Sequence, residues 1–257
     1  MSRLTRAFGG MFGSVLVAAA FTVAAEPSFS GTWKLNLAKS QLGGVVYTID
    51  KTESGMFHYS GGGFEADFDM SGKENVMPSG VAIIGKELSA TSWELTFRMN
   101  GKTVSKSVLT VNGDAMSVKS DITGADGRTV QQMSTDTRMS GGPGLAGKWK
   151  AGDLKGAAVT LHITMSANEI TFTTPETQTT VKGAFDGKEY AVMQAGQATK
   201  FTNVFAKVNN GIKVTTLLNG KAFAEDIYSL SADGKTLTDE STAMATGEKT
   251  KSVFDRQ

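Results

Sequence analysis

The sequence predicts an all-β protein made of two tandem antiparallel up-and-down β-barrels. Three observations lead to this prediction: a short motif occurs twice, apolar and polar residues alternate with a period of two, and turn signals recur between the alternating segments. We find no segment with the 3.6-residue periodicity of an amphipathic helix. Only four prolines occur in 257 residues, so few strands are interrupted.

The repeated motif is a glycine followed two positions later by a tryptophan. The chain reads Gly-Thr-Trp-Lys at 31–34 and Gly-Lys-Trp-Lys at 147–150. Asn-Gly-Lys at 100–102 also returns, at 219–221, with nearly the same offset. Because self-similarity at one period is the mark of repeated structural units, we expect two copies of one unit.

Within each unit the alternation of side chains predicts strands. It is clearest over 93–99 in the first unit and over 159–165 and 212–218 in the second. A strand of this kind turns one face to a core and the other to water. Asn-Gly and Asp-Gly pairs between such segments favour tight hairpins, as expected for a meander of neighbouring strands.

The predicted boundaries follow from composition. Ser-Gly-Gly-Pro-Gly at 140–144 is the densest group of turn residues, and we interpret it as the linker between a first domain at 28–139 and a second at 145–257. Residues 1–25 have the layout of a signal peptide, with Arg3 and Arg6, a small apolar run, and Val-Ala-Ala before the cleavage site. The run is too short and too interrupted for a membrane span, which needs about 18 apolar residues. We therefore expect a periplasmic or secreted protein without stable membrane insertion.

Charge and cysteine content exclude several classes of function. The formal net charge is +1 and no basic block occurs, so nothing favours binding to nucleic acid. The chain has no cysteine, which excludes disulfides, thiol nucleophiles and cysteine metal sites. A protein partner is neither indicated nor excluded.

The opening Ser-Gly-Thr-Trp-Lys-Leu-Asn-Leu-Ala-Lys-Ser at 30–40 resembles that of exported bacterial lipocalin-like proteins. The Gly-x-Trp motifs and the late Asp-Gly-Lys-x-Leu-Thr at 233–238 are similar to lipocalin-like and fatty-acid-binding-protein-like (calycin) domains. The resemblance implies barrels that bind small apolar molecules. Fatty-acid-binding proteins insert a helix–turn–helix lid after their first strand, and the gap of about ten residues here is too short for two helices. Loops would therefore close any cavity, or the cavity would be small.

The resemblance also implies a role for the repeated motif. Its residues form the structural signature of the fold, and a tryptophan packed across the closed end of a barrel is favoured over one that touches ligand. The signature residues are Gly31, Trp33, Gly147 and Trp149. Ligand contacts are instead expected on the apolar strand faces, although a small barrel can also be filled by its own side chains. The candidate ligand-binding residues are Phe57, Trp93, Phe97, Met99, Ile212, Val214 and Leu218.

Catalytic chemistry has no support in the motifs. The two histidines, His58 and His162, occupy different positions in the repeat, and neither lies in a metal-binding or nucleophile-elbow motif. His58 lies between two aromatic residues, so its side chain could point into a cavity, whereas His162 is expected to face solvent. We predict no catalytic residue, no metal and no cofactor.

The sequence therefore predicts an exported, non-catalytic protein that binds a small hydrophobic or amphipathic molecule in its barrels. Two alternatives stay open. One is a structural or protein-interaction module of the cell envelope with filled barrels, and the other is a lipocalin-like enzyme.

Overall fold

A computed structural model describes residues 28–77, 79–124, 127–209 and 211–257, and the predicted signal peptide lies outside these residues. The described chain is all-β, with 21 strands and one short 3₁₀ turn at Pro175–Thr177. It forms two antiparallel barrel-like sheets, one closed and one nearly closed. The predicted fold class of two antiparallel β-barrels is thus confirmed.

The strands follow one another in short hairpins along the chain. The first ten are β1 Gly31–Leu35, β2 Val46–Lys51, β3 Phe57–Gly61, β4 Phe64–Phe68, β5 Ser71–Val76, β6 Val81–Ser89, β7 Ser92–Met99, β8 Lys102–Asn112, β9 Ala115–Thr123 and β10 Thr129–Ser140. The remaining strands are β11 Gly147–Lys150, β12 Lys155–Gly156, β13 Thr160–Met165, β14 Glu169–Thr174, β15 Thr179–Ala184, β16 Tyr190–Gln194, β17 Gln197–Val208, β18 Gly211–Leu218, β19 Lys221–Leu230, β20 Thr236–Ala243 and β21 Lys249–Arg256.

Each barrel contains one strand from the other half of the sequence. The first barrel, as we name it here, consists of β2 to β11, and β11 lies between β2 and β10. The second barrel consists of β1 and β13 to β21, and β1 closes it by pairing with both β13 and β21. The two Gly-x-Trp strands have therefore exchanged places.

Hairpin geometry explains why the exchange is favourable. Residues 140–144, predicted to be an interdomain linker, contribute to a short loop that joins the antiparallel neighbours β10 and β11. Closing a short loop costs less conformational entropy than bringing distant segments together. Once β11 has paired locally with β10, the equivalent place in the second barrel is available to β1. The predicted domain boundaries did not anticipate this exchange.

The crossing segments hold the two barrels in contact. Inside the first barrel, the pairing of β2 with β11 continues just beyond both strands, with Gly44 N–H donating to Ala151 O at 2.8 Å and Ala151 N–H donating to Val45 O at 2.9 Å. Nearby, Val46 N–H of the first barrel donates to Glu248 Oε1 of the second at 3.0 Å. The barrels are thus joined by the Val46–Glu248 hydrogen bond as well as by the exchanged strands.

The first barrel is not fully closed, because β4 and β5 are the two edges of its sheet. At one end the edges are joined by Asp69 and Met70, which lie against Gly85 of β6. A Cβ at Gly85 would stand 2.2 Å from Asp69 O and 2.9 Å from Met70 Sδ, so only glycine allows this approach. The opening between the edges is therefore covered at the Met70 end.

Candidate functional site

In the first barrel, the tryptophan of the repeated motif is Trp149 of β11. Its indole is fully buried, and Nε1–H donates to Leu145 O at 3.0 Å. The Arg138 guanidinium stacks on the ring at 4.1 Å from the centroid and donates to the carbonyls of Ala146 and Gly144 at 3.0 and 2.7 Å. Stacking and hydrogen bonding together fix the loop that leads into β11.

Trp33 of β1 repeats this geometry in the second barrel. Trp33 is fully buried, and its Nε1–H donates to Phe29 O at 2.9 Å. Arg256 lies 4.1 Å from the ring centroid and donates to Ser30 O at 3.0 Å and to Ser28 O. Because of the exchange, each tryptophan packs against an arginine from the other half of the repeat.

The glycine of each motif leaves room for the arginine. A Cβ at Gly31 would lie 2.7 Å from Arg256 Nη1, and one at Gly147 would lie 2.8 Å from Arg138 Nη1. Both glycines also have φ near +150°, which side-chain-bearing residues rarely adopt. Neither tryptophan lines the cavity or the cleft described below.

A cavity of about 330 Å³ lies inside the first barrel. Its wall is mostly apolar and comes from strands all around the sheet. The lining residues are Tyr47, Ile49, Tyr59, Phe64, Ala66, Phe68, Ile83, Leu95, Phe97, Ser107, Leu109, Val118 and Asp136. An apolar wall with a few convergent polar groups is typical of small-molecule sites, which span about 300–1,000 Å³.

The polar groups of this cavity gather around the buried carboxylate of Asp136. Tyr47 Oη donates to Asp136 Oδ2 at 2.5 Å, and Ser134 Oγ and Gly152 N–H donate to Oδ1 at 2.7 and 3.1 Å. Burial and the Asp136 carboxylate hold the pKa of Tyr47 well above its usual range. The Tyr47 phenol therefore stays protonated as the donor of this hydrogen bond.

We name the polar groups around Asp136 the polar corner. Tyr59 extends it along the cavity wall. Its ring lies 5.4 Å from that of Tyr47, and burial, with smaller contributions from Asp136 and Glu248, raises its pKa to about 12. Ser107 Oγ lies 2.8 Å from Ser120 Oγ. The corner can hydrogen-bond a ligand, and the hydroxyl groups of both tyrosines stay protonated at neutral pH.

The interior of the second barrel is built differently. Phe172 stacks with Phe205 at 6.0 Å and lies 5.1 Å from Tyr228, so aromatic rings fill its core. Beyond them, Asp239 faces Tyr228 across the β19–β20 pair. Burial and the neighbouring Asp226 raise the pKa of Asp239 to about 8. Among the buried side-chain oxygens of the described chain, those without a hydrogen-bond partner are Asn203 Oδ1 and Asp239 Oδ1.

A second space, a cleft of about 490 Å³, lies between the barrels. Both barrels contribute to its walls. The first barrel supplies Ser60, Gly61, Gly63, Phe64, Glu65, Met77 and Ser79, and the second supplies Leu218, Phe223, Ala245 and Thr246.

The seven residues predicted to bind ligand are dispersed. Phe97 lines the first-barrel cavity and Leu218 lines the cleft. Four of the others are buried in the two cores and one is half-buried at the end of β7, namely Phe57, Trp93, Ile212, Val214 and Met99. Their roles as ligand contacts stay predictions.

Both histidines contact polar side chains on the outer surfaces of the barrels. His58 does not point into a cavity: its Nδ1 lies 2.7 Å from Asp67 Oδ1 across β3 and β4, and 36% of its side chain is exposed. This corrects the cavity orientation considered from its aromatic neighbours. His162 is solvent-exposed, as expected, with Nδ1 3.0 Å from Thr32 Oγ1.

Within the described ranges, no three side chains among His, Asp and Glu converge in a way that could hold a metal ion. In that same part of the chain, no helix has the length and apolar character to cross a membrane.

Sequence reasoning missed the polar corner. Asp136 and Tyr47 lie in different strands, and neither belongs to a recognisable motif. The available signal was the inward face of β10, where polar residues recur at every second position: Gln132, Ser134, Asp136 and Arg138. Alternation alone does not reveal which face of such a strand is buried.

No family model matches this chain, and no curated protein matches it either.

Proposed function

We propose that the protein is a non-catalytic carrier or binder of a small, largely apolar molecule, held inside the first barrel. The observation that carries this proposal is the cavity of about 330 Å³, with its apolar wall and a single polar corner. Burial of apolar ligand surface would supply the affinity, and Tyr47, Tyr59 and Ser107 would orient the polar end.

The finer identity belongs to the same proposal. The Gly-x-Trp motif on the exchanged strand of each barrel supports lipocalin-like units in two copies. The pattern of residues 1–25 supports export through a signal peptide, to the periplasm or beyond. No cofactor, metal, nucleic acid or protein partner is part of the proposal.

The first test fills the cavity. Ala66 is buried in the wall, so Ala66→Leu should occupy ligand space. Val181 has the equivalent position in the second barrel, because Phe172 pairs with it as Tyr59 pairs with Ala66. Val181→Leu is therefore the matched control. We expect Ala66→Leu to weaken binding of the uncharged fluorescent probe N-phenyl-1-naphthylamine at least tenfold, and Val181→Leu to leave it unchanged.

The second measurement is native mass spectrometry of protein purified from its own host. A co-purified small molecule that is lost in Ala66→Leu would support the proposal. Equal probe binding by the parent protein and both variants, or binding lost only in Val181→Leu, would contradict it.

A further inference from the structure

We propose that the cleft between the barrels is the outer half of the ligand site, with Phe64 as the gate between cleft and cavity. The site is suited to an elongated single-chain amphiphile that carries no negative charge. This inference rests on the proposed function and adds to it a route of entry and a ligand class.

The route follows the gap between β4 and β5. The two edge strands are joined at one end by Asp69 and Met70, which lie against β6. Phe64 begins β4 and Met77 follows the end of β5, so both lie at the opposite end of the gap. Both residues line the cleft. The cleft therefore lies outside the end of the gap that the Asp69–Met70 connection does not cover.

Phe64 links the two spaces. Among the described lining residues, it alone lines both the cavity and the cleft. Its ring centroid lies 6.1 Å from that of Tyr59, which in turn lies 5.4 Å from that of Tyr47. Tyr47 in turn donates a hydrogen bond to Asp136. A continuous aromatic wall thus runs from the cleft to the buried carboxylate, and a rotation of the half-buried Phe64 ring would open it.

The sizes of the two spaces favour an elongated ligand. The cavity of about 330 Å³ lies at the lower end of the range in which small-molecule sites are found. The cleft adds about 490 Å³, with apolar walls from Met77, Leu218 and Phe223. A chain that extends through the gap would bury surface in both spaces, whereas a compact ligand would use only one.

The charges of the lining exclude an anionic head group. The residues that line the two spaces include the acids Glu65 and Asp136 and, within the described chain, no lysine or arginine. Glu248, which bonds Val46 N–H, adds further negative charge near Tyr59. A carboxylate or phosphate would be repelled here and would find no cation to neutralise it. A hydroxyl or ammonium head group could instead donate to these acids and to the tyrosine oxygens.

One experiment compares three ligands with the same chain: decan-1-ol, decylammonium and decanoate. Their affinities are measured by displacement of N-phenyl-1-naphthylamine from the full-length protein. We expect the alcohol and the amine to bind at least tenfold more tightly than decanoate. Tighter or equal binding of decanoate would overturn the assigned ligand class.

A second experiment blocks the cleft. The chain has no cysteine, so Ala245→Cys creates one exposed thiol at the cleft, which a bulky maleimide can modify. Glu53→Cys is the matched control, because Glu53 is exposed in the β2–β3 hairpin, at the end of β3 away from the cleft. Modification at position 245 should slow association of decan-1-ol at least tenfold, and modification at position 53 should not change it. Phe64→Ala should speed both association and dissociation.

The outcomes separate this inference from the proposed function. If the parent protein binds decan-1-ol, the Ala66→Leu variant does not, and the modified Ala245→Cys variant binds at the parent rate, the inference is overturned while the proposed function stands. If none of the three decyl compounds binds and the naphthylamine probe binds equally to the parent and the Ala66→Leu variant, both are overturned.

Discussion

Two positions at the residue scale distinguish the interiors of the barrels. Asp136 precedes Arg138 by two residues, and Phe254 has the same relation to Arg256 in the second barrel. The residues opposite the two tryptophans differ in the same sense, since Tyr47 faces Trp149 and Leu161 faces Trp33. A hydrogen-bonded tyrosine–carboxylate pair therefore stands in the first barrel where apolar side chains pack in the second. The same arrangement of strands therefore encloses a polar corner in the first barrel and apolar side chains at the equivalent place in the second.

The buried Asp239 predicts an unusual dependence of stability on pH. Its carboxyl stays protonated in the folded chain up to about pH 8, whereas an ordinary Asp has a pKa of 3.8. Between these values the folded chain binds more protons than the unfolded chain, so the free energy of unfolding falls as pH rises, by at most about 1.4 kcal/mol per pH unit. We expect the melting temperature to fall from pH 5 to pH 8, and Asp239→Asn to reduce this slope.

The control for this prediction is Asp233→Asn. Asp233 lies in an exposed turn, where bonds from Ser231 and Lys235 N–H lower its pKa. Its titration is complete below pH 5, so the variant should keep the parent slope. An Asp239→Asn variant with the parent slope would show that another group, such as the neighbouring Asp226, is responsible.

At the scale of elements, β1 and β11 are exchanged between the two barrels. β1 and β11 each carry the Gly-x-Trp motif. The strands that pair with β1, β13 and β21, are the counterparts of those that pair with β11, β2 and β10. The sequence predicted the two strands because their motifs match. It did not predict their partners, because two equivalent strands fit either barrel equally well. The short β10–β11 loop decides the pairing, since it keeps β11 beside β10.

The exchange predicts that a change in the first Gly-x-Trp strand weakens the second barrel. Trp33→Ala should lower the free energy of unfolding by about 3–5 kcal/mol, because it leaves a large void in a buried core. Hydrogen–deuterium exchange should then accelerate in β13 and β21, which flank β1, and not in β2 and β10. The milder Trp33→Phe should show the same distribution.

Trp149→Ala is the mirror control, and it should accelerate exchange in β2 and β10 first. A Trp33→Ala variant that loosens β2 and β10 while it spares β13 and β21 would contradict the exchanged pairing.

At the scale of the whole molecule, the exchange interlocks the two halves of the chain. The half before residue 141 provides β1 to the second barrel, and the half after it provides β11 to the first. Both strands carry a fully buried tryptophan. The cleft between the barrels therefore has walls that the exchange holds together, as the proposed two-part ligand site requires.

A cut in the loop at 141–146 tests the interlocking. The space around Gly142 is open, because a Cβ added at this position would have no heavy atom of another residue within 4 Å. A protease site can therefore be inserted beside it. After cleavage, the two fragments should elute together from a size-exclusion column in native buffer, and separately in denaturant. The uncut insertion variant gives the reference volume. Fragments that separate in native buffer would contradict the exchange.

By itself, the sequence determined the fold class, because a period of two and well-placed turn residues are local properties that every strand carries. It also marked the two tryptophans, since a repeated motif is visible without coordinates. Only the tertiary structure decided in which barrel each tryptophan packs, and only it brought Tyr47 and Asp136 together. Those outcomes depend on pairing between distant strands, which local alternation does not specify.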